Sequence, residues 1–202
     1  MRTQRRIDRL SMALKHTQPD LTIVLENIHD PHNVSAIMRT CDAVGIRRVN
    51  LLYTEEKFPK IGKKSSASAH KWVENQKFRS VQDCYGYLKG NGFLVAASVV
   101  DIGPRLARSG SGSISLYELD LRKQIALVFG NEHRGVSEEA ASSADIRFQV
   151  PMFGMVQSLN VSVACAITIY EALRQRMESG DFGKQKIGDV EFKKRLDDWA
   201  KK

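Results

Sequence analysis

Five short apolar runs, separated by segments of helical spacing, constrain this chain more than any other feature. Leu21 to Leu25, Val49 to Tyr53, Phe93 to Val100 and Ile125 to Phe129 are near-continuous apolar stretches; Ile146 to Val150 alternates apolar and polar and ends at Pro151. Such runs suit parallel strands covered on both faces. Between them lie segments of helical period. His32 to Val44 places Val34, Ile37, Met38 and Cys41 on one face; Val81 to Leu88 stops before Gly90 and Gly92; Ser137 to Ser143 is short; Leu159 to Met177 is long and closed by Gly180. Helices are also predicted at the two ends, from about Thr3 to Lys15 and from about Val190 to Ala200. The alternation predicts an α/β fold: a mostly parallel sheet with helices on both faces. A chain of 202 residues, 42% hydrophobic, fits one domain with short extensions.

Charge is distributed unevenly. The formal net charge is +8, and residues 1–20 and 184–202 supply six of the eight charges. A near-neutral core with basic ends favours a polyanionic partner without identifying it. Arg2, Arg5, Arg6 and Arg9 share one face of the first helix, while Ile7, Leu10 and Leu14 share another. Four guanidinium groups in a stripe suit phosphates; they also suit the solvated face of a docked helix. Lys57 to Lys71 holds five lysines and no acid, with Ser65-Ser66-Ala67-Ser68 inside it, and Ser109-Gly-Ser-Gly-Ser113 has a linker's composition. No run of eighteen apolar residues suggests a membrane span, and no apolar region follows the N-terminal arginines as in a secretory signal. Cys41, Cys84 and Cys165 form neither a disulfide framework nor a zinc spacing, which suits a reducing, cytoplasmic location. His16, His29, His32, His70 and His133 do not make a metal site.

Three segments carry chemistry. Asn27 to Thr40 follows a strand and opens a helix, where free amides could hold a phosphate or a carbonyl oxygen beside Asn33. Arg39 lies six residues further on, roughly 120° around the helix. The two converge on one ligand only if Asn33 stands at the cap; the plainer reading is a capping Asn33 and an Arg39 in a surface ion pair. Phe129 to Val136 is a strand running into a Gly-rich turn, without the Gly-x-Gly-x-x-Gly spacing of dinucleotide sites. Glu132 there could act on a ligand or cap the next helix. Val150 to Ala164 turns through Gly154 into a helix started by Ser158 or Asn160. Its loop exposes backbone groups able to grip an adenine edge, and Ser162, Ala164, Ala166 and Thr168 keep that helix slim enough for close approach of another chain, or for ordinary core packing.

In order and together, these segments resemble the SpoU-type RNA 2'-O-ribose methyltransferases of the knotted SPOUT superfamily, over roughly residues 19–178. Gln18 to Gly45 and Pro151 to Ala164 look most like the TrmH-type tRNA guanosine-2'-O-methyltransferases, which act on the D-loop guanosine conventionally numbered 18. The resemblance implies S-adenosylmethionine as cofactor, no metal, a deep C-terminal trefoil knot, a homodimer and tRNA as partner. It implies a methyltransferase domain at 19–178 between basic helical extensions at 1–18 and 179–202. It casts Arg39 as the catalytic arginine, with Asn33, Glu132, Ser158 and Asn160 at the other motif positions. It assigns the cofactor pocket to Ala97, Ser98, Gly130, Val150, Met152, Gly154, Ser158 and Leu159. RNA contacts fall to Arg2, Arg5, Arg6, Arg9, Lys63, Lys64, Lys193, Lys194 and Arg195, with Lys184 and Lys186 in the same basic tail. A guanidinium is a poor base at neutral pH, so Arg39 either passes a proton on with help from a substrate phosphate or stays cationic beside a developing oxyanion. Competing readings are a ribosomal RNA methyltransferase of the same family, a noncatalytic RNA-binding protein on this scaffold, and a nucleotide-dependent oxidoreductase, the last opposed by the missing glycine fingerprint.

Overall fold

The structure is a computed structural model that describes residues 3–59, 69–100 and 112–202. Arg2, Lys63, Lys64, most of the lysine- and serine-rich segment around them, and the start of the Ser109–Ser113 run lie outside the described residues.

Among the described residues seven strands form one parallel sheet: β1 (Leu21–Glu26), β2 (Arg48–Leu52), β3 (Glu74–Phe78), β4 (Leu94–Ser98), β5 (Ser113–Ser115), β6 (Ile125–Phe129) and β7 (Ile146–Gln149). Their order across the sheet is β3-β2-β1-β6-β4-β7-β5. β1 and β6 lie side by side near the middle, with Leu25 opposite Phe129, and every residue of both is buried. That explains their near-continuous apolar runs. Among the described residues six α-helices accompany the sheet: α1 (Gln4–Lys15), α2 (Pro31–Val44), α3 (Val81–Gly90), α4 (Glu138–Ser143), α5 (Val161–Glu178) and α6 (Asp189–Lys201). Two apolar clusters divide the core by face. One joins Ile23, Leu25, Leu127 and Phe129 to Ile37, Met38 and Cys41 of α2 and to Cys165, Ile169 and Ala172 of α5. The other joins Val24, Val95, Ala97 and Val128 to Val81, Cys84, Tyr85 and Leu88 of α3 and Ala140 of α4. All three cysteines are buried, and burial raises their thiols above the ordinary range.

Local signals set the helix ends. Asp30 caps α2, its carboxylate accepting from the His32 amide at 2.8 Å, and Pro31 opens the first turn. Gly45 closes α2 in the left-handed region at φ 86°, where the His16 carbonyl leaves no room for a side chain. Asn160 caps α5 and Ser80 caps α3. A third cluster, Leu10, Leu14 and Trp199, packs α1 against α6, with Trp72 at 5.0 Å from the Trp199 ring and the Arg47 guanidinium 5.0 Å above it. No helix among the described residues is long and apolar enough to cross a membrane.

Two strands escape the apolar pattern. β3 reads Glu-Asn-Gln-Lys-Phe and, among the described residues, pairs only with β2; β5 reads Ser-Ile-Ser and pairs there only with β7. Both are edge strands of the described sheet, where apolar content is not required. Ser113 therefore begins a strand rather than ending a linker. Tyr53 is fully buried and donates to the Ile28 carbonyl at 2.9 Å, a core role.

Gly45→Ala would set a Cβ 2.1 Å from the His16 oxygen in a conformation that disfavours side chains. Urea unfolding should show a loss of about 2–4 kcal/mol.

Candidate active site

The carboxyl ends of β1, β6, β4 and β7 are consecutive in the sheet, and the three chemically promising segments leave from β1, β6 and β7. Open parallel sheets bind ligands outside those ends. Glu132, just past β6, gathers the first segment: its carboxylate accepts from the His29 amide at 3.0 Å, the Asp30 amide at 3.3 Å and the Asn33 side chain at 2.8 Å. Asn33 in turn accepts from the Asn160 side-chain amide at 3.2 Å. Asn160 completes the network by accepting from the Ser162 amide at 2.8 Å and hydroxyl at 2.6 Å, which caps α5. One polar network thus joins residues about a hundred positions apart. Burial raises the Glu132 carboxyl, but the Asn33 amide and the His29 and Asp30 N–H groups outweigh it and hold the group below the ordinary glutamate range. An ionised carboxylate with three donors orients its neighbours rather than abstracting a proton.

The turn carrying Glu132 is itself held tightly. Gly130 is buried, and a Cβ there would lie 2.1 Å from the backbone of Gly135 and Val136, so this glycine serves the turn's closure. The Asn131 side chain donates to the Asn27 carbonyl at 2.7 Å and accepts from the His133 amide at 2.9 Å. Asn27, at φ 50°, accepts from the Thr54 amide at 3.0 Å. Buried Glu26 accepts from Ser137 through its amide at 2.9 Å and its hydroxyl at 2.5 Å. Sequence reasoning does not single out Glu26, Asn27 or Asn131. The available signal is a polar residue at the end of a mostly apolar strand run, where a buried carboxylate or amide must find partners.

Asn33 stands at the third position of α2, not at its cap, and its side chain is committed to Glu132 and Asn160. Both simple readings of Asn33 give way to a positioning role. Arg39 does not join that network. It is exposed and forms no ion pair or hydrogen bond among the described residues, contrary to the surface-pair reading. It lines a shallow groove with His32, Ala36, Thr40 and Ala43 of its own helix and Ala166 and Tyr170 of α5. Ser158 is exposed in the loop before α5, outside the Glu132 network.

The candidate cofactor residues fall along the ends of three adjacent strands. Ser98 closes β4, Gly130 follows β6, and Val150, Met152, Gly154, Ser158 and Leu159 follow β7. Val150, Met152 and Leu159 are half-buried, and Gly154 and Ser158 are exposed. Ala97 departs from expectation: it is fully buried among the α3-side core residues and offers no side-chain surface to a ligand. Phe153, Met155 and Val156 stand out from the same loop, Met155 being 98% exposed, and Val163, Tyr170 and Met177 continue this apolar surface along α5.

On the terminal helices, Arg5, Arg6 and Arg9 of α1 and Lys193 and Lys194 of α6 are exposed without ion pairs among the described residues. The rest of the tail is engaged internally. Arg195 pairs with Glu191 at 2.7 Å, Lys186 with Asp20 at 2.6 Å and Lys184 with Asp181 at 3.1 Å.

The depressed Glu132 carboxyl stabilises the fold fully above the ordinary glutamate range, and this contribution is lost as pH falls through its folded value. Urea unfolding followed from pH 7 to pH 3 should therefore show a shallower acid-side decline in Glu132→Gln than in the parent. Glu132→Ala should lose about 1–3 kcal/mol at pH 7, because it strands three donors.

Comparison with known proteins agrees with this arrangement. The model of the SpoU rRNA Methylase family matches residues 20–170. A Thermus thermophilus tRNA (guanosine(18)-2'-O)-methyltransferase is 41% identical over 201 residues, 100% of this chain and 98% of that protein. The crystal structure of the Aquifex aeolicus TrmH/SpoU tRNA modifying enzyme superposes with a TM-score of 0.86 at 37% identity, over 98% of this chain and 96% of that one. An AdoMet-bound rRNA methyltransferase from Sinorhizobium meliloti gives a TM-score of 0.66 at 26% identity, over 80% and 59%. With its three motif loops joined at the carboxyl edge of a parallel sheet, this chain belongs to the SpoU methylase family.

Proposed function

We propose that the chain is an S-adenosylmethionine-dependent tRNA methyltransferase that modifies the ribose 2'-oxygen of a guanosine, the D-loop guanosine at position 18. The observation that carries this reading is the Asn33–Glu132–Asn160 network at the sheet's carboxyl edge, with Arg39, unpaired among the described residues, on the helix that the network anchors. Whole-length similarity to the Thermus enzyme supports the substrate, and the AdoMet-bound Sinorhizobium relative supports the cofactor.

The residues present suit that cofactor. Half-buried Val150, Met152 and Leu159 can flank an adenine ring, and the exposed backbone around Gly154 and Ser158 can meet polar edges; Ser98 and the Gly130 turn bound the other side. When bound, the cofactor supplies an electrophilic methyl group on a positively charged sulfur. The chain's own work is to hold and polarise the nucleophile. Glu132 and Asn160 fix Asn33 and the start of α2, so the helix carrying Arg39 has one orientation. Arg39 meets the ribose oxygen as a cation, stabilising the charge that grows there as the 2'-proton leaves to solvent or to a neighbouring phosphate.

The exposed face of Phe153, Met155, Val156, Val163, Tyr170 and Met177 lies beside the Arg39 groove and is suited to burial against a second copy, giving a homodimer. The chain runs from β4 to the far edge at β5, back to β6 and out again to β7, while α5 ends beneath the 119–123 segment; this path supports a trefoil knot. The domain division follows: a methyltransferase domain at 19–178 with basic extensions at 1–18 and 179–202 that bind tRNA in the cytoplasm.

Label from S-adenosylmethionine should enter unmodified tRNA transcript and should not enter a transcript whose D-loop guanosine is replaced. Label in both would discard the position; label only in ribosomal RNA would replace the substrate. Arg39→Ala should lower the transfer rate at least about 100-fold while leaving cofactor affinity within a few-fold. Reversing Arg5, Arg6 and Arg9 to Glu should weaken tRNA binding and reduce its salt slope by roughly 0.7–0.9 for each phosphate that is no longer neutralised. An unchanged slope would leave that stripe as a solvated face.

A further inference from the structure

Asn27 follows β1 and opens the short connection to α2; among the described residues it is the one non-glycine residue with a left-handed backbone, at φ 50°. Glycine takes that conformation freely, whereas a residue with a Cβ is strained there and persists only where its surroundings hold it. Asparagine is among the few side chains that tolerate it. A carboxamide kept at a position that suits glycine better points to a use for the carboxamide.

Every polar group of buried Asn27 is engaged, and with three different segments. Its N–H donates to the Leu52 carbonyl at 2.9 Å, next to the β1–β2 ladder. Its carbonyl accepts from the Asn131 side chain at 2.7 Å, in the turn after Gly130. Its side-chain oxygen accepts from three successive amides after β2: Thr54 at 3.0 Å, Glu55 at 3.2 Å and Glu56 at 3.3 Å. Its side-chain nitrogen donates to the Thr54 hydroxyl at 2.9 Å. The turn held in this way reaches back to both neighbouring loops. Glu55 and Glu56 pair with Arg134, two residues beyond Glu132, and Glu56 lies 3.7 Å from the His29 ring. Those outer pairs are at the surface and contribute little alone. Asn27 is the buried centre of the arrangement. It fixes two things relative to each other: the path by which the chain enters α2, the helix of Arg39, and the turn that runs from Gly130 past Glu132.

We propose that Asn27 is a positioning residue for methyl transfer, holding the start of the Arg39 helix and the turn after Gly130 in fixed relation and acting on the reaction through them. The role rests on the methyltransferase reading. A shift of about 1 Å between reacting groups costs on the order of 100-fold in rate. Loss of the carboxamide should therefore appear in kcat and not in the binding of cofactor or tRNA.

Transfer of label from S-adenosylmethionine to unmodified tRNA transcript tests this in Asn27→Gly and Asn27→Asp, at a temperature where each is folded. Asn27→Gly takes the same backbone without strain but loses the acceptor. Its kcat should fall about 10–100-fold, with KM for tRNA and calorimetric affinity for S-adenosylmethionine within about threefold of the parent. Asn27→Asp tolerates the left-handed backbone and keeps an acceptor for the three amides, so kcat should return to within about threefold of the parent. Hydrogen exchange in the unliganded protein gives a readout apart from activity: the amides of Thr54, Glu55 and Glu56 should exchange faster in Asn27→Gly and regain protection in Asn27→Asp. A merely structural role would lower the unfolding temperature of Asn27→Gly and leave kcat unchanged, and that result overturns the proposal. So does an Asn27→Asp as slow as Asn27→Gly, or a loss seen only in cofactor affinity. If Asn27→Gly does not fold, Asn27→Ser, with a shorter acceptor, is read by the same criteria. A parent that labels no RNA sinks the methyltransferase reading and this role with it; an active parent with an unaffected Asn27→Gly sinks this role alone.

Discussion

The buried guanidinium of Arg176 is the interaction on which the rest of the fold turns. It sits near the end of α5 at 1% exposure and donates to the carbonyls of Leu121 and Lys123, each at 3.0 Å, to Gln18 at 3.1 Å and to the Asp20 carboxylate at 2.7 Å. A cation this deep persists only where its donors are matched. Burial raises the Asp20 carboxyl, but Lys186 and Arg176 outweigh it and hold it below the ordinary aspartate range. Gln175 next door accepts from the Leu121 amide and donates to the Leu119 carbonyl. One helix end therefore fixes the entrances of both β1 and β6. Those neighbouring strands then deliver Asn27 and Glu132 to the opposite edge in fixed register.

That edge separates rigidity from reactivity. Glu132, Asn33, Asn131 and Asn160 spend their polar atoms on one another and on backbone, which makes them a frame. Arg39 is outside this frame, and its donors meet no partner among the described residues. The arrangement suits a reaction in which charge grows on an incoming oxygen: pre-oriented cations lower a barrier most when no reorganisation is needed. The apolar surface beside it would exclude water once covered.

Much of this is legible in the amino-acid order. The buried strands announce themselves because both faces are covered, as with β1 and β6, and the helices follow from their period. β3 and β5 do not, since edge strands need little apolar content. The motif loops are recognisable as a set, but the role of Asn33 is not: its partner Glu132 lies 99 positions away, and no local spacing encodes that pairing. Gly130 is visible as a turn residue, whereas the reason for it, the backbone of Gly135 and Val136 pressed against its Cα, exists only in three dimensions. Ala97 reads as a pocket wall by its place at a strand end, but strand alternation turns it into the core. The basic tail likewise reads as uniform, while Lys186 and Arg195 are drawn inward by Asp20 and Glu191.

The packing of α1 on α6 has a consequence for biosynthesis. Leu10 and Leu14 find their cover in Trp199, almost the whole chain later. Leu10 and Leu14 therefore stay uncovered until Trp199, made 185 positions after Leu14, follows them out of the ribosome. Synthesis proceeds at roughly 5–20 residues per second, so that interval lasts on the order of ten seconds or more. The packing of α1 on α6 is completed only after every strand of the sheet has been made.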